Sequence, residues 1–243
     1  MICRGVLTVA FLYPWADQAG RRRYKQNWMQ AILAWLGVKL EVRTPTSWSG
    51  DITPGILLVS NHISWLDIVV LNSWQQFSFL AKSEVRQIPM IGWLAEKNET
   101  LFISRGRRSG LNTITQQMDV ALQKGQRVVI FPEGTTTMGG CVGHFHAALF
   151  EVACRCKYNL QPLAISYFEK SSSGQRSSTI PAYVDDDTLL QSMWAISRCS
   201  GLHARIEVAE TISGGDCQQV SRRELANLTW QRISKLLPVT QEK

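Results

Sequence analysis

The chain has 243 residues, 45% of them hydrophobic, with a formal charge of +7 and six cysteines. That length suits one large α/β domain with a substantial core. The cysteines form no CxxC pair and no spaced framework, which excludes a disulfide-stapled fold and favours reduced thiols. Charge is concentrated at the front: residues 1–43 carry seven Lys and Arg against Asp17 and Glu41. A basic end of this kind meets nucleic acid, anionic lipid or water, and its apolar neighbours here favour lipid. Residues 5–15 are apolar but too short to cross a bilayer, which takes about 20 residues. No small-residue cleavage pattern follows them, as a signal peptide requires. Asp17 then predicts the N-cap of a helix that Gly37 ends. Tyr24, Trp28, Ile32 and Trp35 recur along it at helical spacing, with Arg21, Arg22, Arg23 and Lys25 in its first turns. Residues 1–43 are thus expected to form an amphipathic helical hairpin lying in one leaflet, and residues 44–243 the main domain. A helix that packs on the core and solvates its other face is the competing expectation.

From residue 50 the pattern alternates. Strands are expected at 56–60, 77–81, 100–104, 127–131, 160–167 and 204–209. Helices are expected at 66–75, 84–96, 110–124, 145–156, 188–198 and 221–237. Lys170 to Ser178, rich in Ser and Gly, reads as a surface loop. Strands alternating with helices imply an α/β fold with a single, largely parallel sheet covered by helices.

The strand Ile56 to Val59 stops at Ser60-Asn61, and His62 and Asp67 follow. A base and a carboxylate just past the carboxyl end of a strand stand where open α/β sheets bind ligands. On a regular helix the two would be about 140° apart, so the chain must bend between them to bring them together. Cys141, His144, His146, Cys154 and Cys156 fall close in sequence, but their spacing is not that of usual zinc motifs. No metal site is expected there. His144, His146 and His203 have no carboxylate at useful spacing beyond a strand.

Four blocks come in one order: Asn61-His62-x4-Asp67, Leu101-Phe102-Ile103-Ser104-Arg105, Phe131-Pro132-Glu133-Gly134-Thr135, and Leu160-Gln161-Pro162-Leu163-Ala164-Ile165. In that order they resemble the glycerolipid acyltransferases, specifically the lysophosphatidic acid acyltransferase branch. The resemblance implies transfer of a fatty acyl group from acyl-CoA or acyl-carrier protein to the free hydroxyl of a lysolipid, first of all 1-acyl-sn-glycerol-3-phosphate. It implies a membrane-associated enzyme on the cytoplasmic face, of the inner membrane if bacterial, needing no metal or prosthetic group and no nucleic acid. An alcohol is a poor nucleophile while it holds its proton. Histidine is a suitable base, and a carboxylate fixes its tautomer. His62 and Asp67 are the expected pair. With no G-x-S-x-G motif, direct attack by the acceptor is expected rather than an acyl-enzyme. The resemblance assigns Arg105 to the acceptor's phosphate, with Arg107 and Arg108 beside it, and Glu133, Gly134 and Thr135 to acceptor binding.

Two positions depart from the branch. Thr136 stands where many phosphatidic-acid-forming relatives have arginine, and Phe145-His146 where they tend to have Phe-Lys. Both changes remove fixed cations from the expected headgroup site, so a lysolipid without phosphate, such as a lyso-ornithine-type aminolipid, is the alternative acceptor. An inactive lipid-binding protein, or a lipid or thioester hydrolase using His62 to activate water, are the rivals from other classes.

Overall fold

The computed structural model describes residues 15–46, 48, 52–88, 91–103, 108–172, 174–184 and 188–238. Residues 5–14, the first arm of the expected hairpin, and Arg105 and Arg107 lie outside them. The described strands are β1 (Lys39–Arg43), β2 (Leu57–Ser60), β3 (Ser78–Lys82), β4 (Leu101–Ile103), β5 (Val128–Ile130), β6 (Leu160–Ser171), β7 (Gly174–Ser177) and β8 (Leu202–Val208). They form one sheet in the order β1-β8-β6-β2-β5-β3-β4, with β7 also on β6. Strands β2 to β6 run parallel to one another, while β7 and β8 pair antiparallel with β6 and β1 pairs parallel with β8.

Helices cover both faces: α1 (Gln18–Leu36), α2 (Leu66–Trp74), α3 (Ile91–Lys97), α4 (Arg108–Gln123), α5 (Glu151–Cys156), α6 (Leu189–Arg198), α7 (Gly214–Gln219) and α8 (Arg222–Leu236). Central strand β2 explains the two-sided cover. Every residue from Leu57 to Ser60 is fully buried. Leu58 joins the core beneath α1, α2 and α6, while Leu57 and Val59 join the core beneath α4, α5 and α8. This is the period-two alternation of a strand buried on both faces.

Three expectations need correction. Lys170 to Ser178 is not a plain surface loop: β6 runs on to Ser171 and turns into β7, whose residues are all exposed. The helix expected at 84–96 is divided into a 3-10 turn, Ser83–Gln87, and α3. That expected at 145–156 becomes a 3-10 turn, Ala147–Phe150, followed by α5. In addition, β1 and α7 form where no element is expected.

The N-terminal helix forms as its caps dictate. The Asp17 carboxylate accepts from Gly20 N at 2.8 Å, and Gly37, at φ 72°, closes the other end. Met29, Leu33 and Leu36 are buried in the core, while Trp28 and Ile32 pack at its edge and Trp35 is 52% exposed. Gln26 and Gln30 donate to the carbonyls of Ser73 and Trp74, satisfying orphan acceptors at the carboxyl end of α2. Buried Lys25 donates to Phe77 O at 2.7 Å. Its deepest face is therefore the ridge from Lys25 to Leu36, one residue round from the aromatic stripe visible in sequence. The sheet also takes in residues 39–43, which the charge pattern assigns to the N-terminal segment.

Candidate active site

At the end of β2 the backbone leaves the sheet, and a side chain takes its place. Asn61 Nδ2 donates to Ile165 O at 2.9 Å and its Oδ1 accepts from Ile165 N at 2.8 Å. The amide thus continues the ladder onto β6 while the main chain turns away. Residues 61–64 are irregular and α2 starts only at Leu66, which supplies the bend that the His62–Asp67 spacing demands.

Within that bend His62 Nδ1 lies 2.8 Å from Asp67 Oδ2. The same oxygen accepts from Ile63 N at 2.7 Å and Ser64 N at 2.9 Å. Asp67 Oδ1 accepts from the Tyr167 hydroxyl at 2.7 Å. Asp67 is fully buried, and the His62 side chain is 19% exposed. A carboxylate only accepts, so Nδ1 carries the hydrogen of this bond and Nε2 presents its lone pair. Among the described residues Nε2 makes no hydrogen bond. The imidazole stacks on Phe131 at 4.0 Å between centroids and 14° between planes, and Phe131 in turn stacks on Phe79.

Glu133 is buried beside this pair, with both oxygens engaged by backbone. Oε1 accepts from His62 N and Oε2 from Gly143 N, each at 2.7 Å. Burial pushes its carboxyl above the ordinary range, against the pull of the Gly143 and His62 N–H donors. A Cβ on Gly143 would stand 2.8 Å from Oε2, so only glycine lets that N–H approach. Gly134 turns the chain at φ 69°, and Thr135 is exposed. Thr136 donates its hydroxyl to Tyr183 O, while Thr137 N donates to His62 O at 2.9 Å. His146 is exposed, and its N–H donates to Pro132 O at 2.8 Å.

The structure therefore brings His62, Asp67 and Glu133 into one network and sets Gly134 and Thr135 beside it. Arg105 lies outside the described residues, and Arg108 is the first residue of α4. Sequence reading missed Tyr167, Gly143, Phe131 and the Asn61 side chain as parts of the site. Tyr167 had one available signal: with Leu163 and Ile165 it lies on one face of β6, the face buried in the core that holds Ile63 and Leu66.

The acyltransferase family model matches residues 39–166, and all of the His62, Glu133 and Asn61 contacts just described except those to Tyr167 and Tyr183 fall within that span. The chain belongs to the acyltransferase family. Among its relatives is the lyso-ornithine lipid O-acyltransferase of Pseudomonas aeruginosa, 36% identical over 90% of this chain and 81% of that one. The 1-acyl-sn-glycerol-3-phosphate acyltransferase of Neisseria meningitidis is 32% identical over 73% of this chain and 67% of that one. The fold of this acyltransferase also matches the crystal structure of the 1-acyl-sn-glycerophosphate acyltransferase PlsC of Thermotoga maritima. The TM-score is 0.63 at 18% identity, covering 95% of this chain and 88% of that one.

Proposed function

We propose that this acyltransferase moves a fatty acyl group from an acyl thioester, acyl-CoA or acyl-carrier protein, to the free hydroxyl of a lysolipid held at a membrane surface. The observation that carries this reading is the His62–Asp67 contact at 2.8 Å, with Nε2 directed away from it. As the hydroxyl oxygen attacks the thioester carbonyl, Nε2 takes its proton. Collapse of the tetrahedral intermediate breaks the C–S bond, and the imidazolium returns that proton to the departing sulfur. Asp67 fixes the tautomer and stabilises the imidazolium throughout. Arg105, Gly134 and Thr135 meet the acceptor, while Glu133 braces the loop that carries the base. The chemistry asks for no metal or prosthetic group.

For the acceptor, a lyso-ornithine-type lipid is the first reading. The Pseudomonas aeruginosa relative bears that name, and the Thr136 hydroxyl, where a cation would suit a phosphate monoester, is spent on the Tyr183 carbonyl. Lysophosphatidate is the second reading, supported by the name of the Neisseria meningitidis relative and by Arg105 in its block. No helix among the described residues is long and apolar enough to cross a membrane. Contact with the cytoplasmic face of a membrane is assigned to residues 5–15 together with exposed Trp15, Arg22, Arg23 and Trp35.

The test uses purified protein, a labelled acyl donor and both lysolipids, with a control lacking acceptor. Transfer to lyso-ornithine lipid with the higher kcat/KM, lost in a folded His62→Ala variant, is the expected result. Free fatty acid released without acceptor would instead identify a hydrolase. Near-normal transfer by His62→Ala would overturn the mechanism.

A further inference from the structure

We infer that Tyr167 is a positioning residue of the catalytic pair, holding the Asp67 carboxylate in the one rotation that keeps Oδ2 on the His62 imidazole. The inference rests on the reading of His62 as the base and goes beyond it to a residue one position past the span of the family match.

The division of labour on Asp67 leads to it. Oδ2 takes three donors, His62 Nδ1, Ile63 N and Ser64 N. Oδ1 takes only the Tyr167 hydroxyl among the described residues. The carboxylate is fully buried, so no water supports Oδ1 in place of the phenol. A rotation about the Cβ–Cγ bond would exchange the two oxygens, and Tyr167 opposes it from the far side of the group. The phenol is well placed to do so. It is 3% exposed and comes from a strand that Asn61 bonds directly at Ile165, two residues earlier. Strand and catalytic loop are thereby locked in register, and the hydroxyl cannot drift from Oδ1 without breaking the Asn61 pair. Burial, and then the neighbouring Asp67 charge, push the Tyr167 hydroxyl well above its ordinary range, so it remains a donor across the working pH.

The phenol also sets how much charge Asp67 offers the imidazole. A hydrogen bond to Oδ1 draws negative charge from the carboxylate, and removing it concentrates that charge on the His62 side. Other groups around the ring do not perform this task. Phe131 supplies a neutral face, and Glu133 bonds the His62 backbone rather than its ring.

The experiment replaces Tyr167 with Phe, which keeps the ring, and with 3-fluorotyrosine, a stronger donor of the same shape. Steady-state transfer is measured against pH, with melting curves to establish folding. Loss of one charge-assisted bond predicts a fall in kcat of about 10- to 100-fold for Tyr167→Phe, with KM for donor and acceptor changed by less than about threefold. The acid limb of its kcat profile moves to higher pH, because the carboxylate holds the imidazolium proton more firmly. In the fluorotyrosine protein the limb moves the opposite way. A merely structural role lowers the profile without moving either limb, and that result overturns the inference. So does a folded Tyr167→Phe enzyme with kcat within twofold of the parent. His62→Ala in parallel separates the two levels: if it retains transfer, the base assignment has failed rather than the role of Tyr167.

Discussion

Glu133 offers a sharp distinction between binding the acceptor and holding the base. Replacing it with Gln keeps size and shape but leaves one oxygen where there were two. Both oxygens now accept from backbone N–H groups at 2.7 Å, those of His62 and Gly143. In Glu133→Gln one of those donors meets an amide NH2 and goes unpaired inside the protein. Losing a bond to a charged acceptor costs about 1.5–3 kcal/mol, and a stranded buried donor adds to it, for roughly 2–4 kcal/mol in all. At roughly 2–4 °C per kcal/mol for a chain of this size, Tm falls by about 5–15 °C. Since the His62 backbone is one of the two partners, the imidazole shifts against Asp67. A displacement approaching 1 Å costs on the order of 100-fold in rate. Bracing thus predicts a large fall in kcat with acceptor KM nearly unchanged, read from acyl-transfer kinetics beside a thermal melt. Gly143→Ala should reproduce both effects from the opposite partner, since its Cβ would stand 2.8 Å from Oε2. An unchanged Tm in Glu133→Gln, with acceptor KM raised and kcat preserved, would refute this reasoning and return Glu133 to the acceptor site.

Two further predictions concern stability against pH. Burial first of all lowers Lys25 from 10.5 to about 8. A lysine depressed in the folded state contributes stability above its unfolded value that is lost as pH falls through the folded one. Relative to a Lys25→Met variant, the parent should therefore gain stability between pH 8 and pH 10.5, measured by urea midpoints across that window. A constant difference would show that Lys25 keeps its charge throughout. Glu41 behaves in the acid range: the Lys170 ammonium first, then the Arg205 guanidinium, hold its carboxyl down to about 2. Its contribution is present above 4.5 and lost as pH falls toward 2, so the stability gap between parent and Glu41→Gln should close over that interval. A gap that stays fixed from pH 5 to pH 2.5 would remove these ion pairs from the account.

Much of the sheet was legible because parallel strands buried on both faces read as short apolar runs. Ile56 to Val59 and Val128 to Phe131 announce themselves in this way. By contrast, β1 and β7 are exposed or half-buried and mix charge with apolar residues, so they carry no such signal and form only because β8 and β6 offer an edge. The helix at the front illustrates another limit. Its caps, Asp17 and Gly37, were readable, but the bulky stripe of Tyr24, Trp28 and Ile32 hid the deeper face, where Lys25 enters the core through a carbonyl partner. At the site, the His62–Asp67 pair was visible because its members are five residues apart. Tyr167 and Gly143 were not, because their partners lie 100 and 10 residues away and neither contact follows any local period.

The replacement of a backbone strand by the Asn61 amide has a consequence for how the enzyme comes to life on the ribosome. The amino-terminal third of the chain contains both His62 and Asp67, yet their loop is tied to Ile165 through Asn61 and to Tyr183 through the carbonyl of Ile63. A nascent chain that has exposed the histidine and its carboxylate still lacks the strand that clamps them. Until three quarters of the polypeptide has emerged, the loop has no fixed shape to pass to a thioester or an alcohol. Competence then arrives late and in one step, when β6 slots in against β2, so that incomplete chains carry the signature residues without the chemistry.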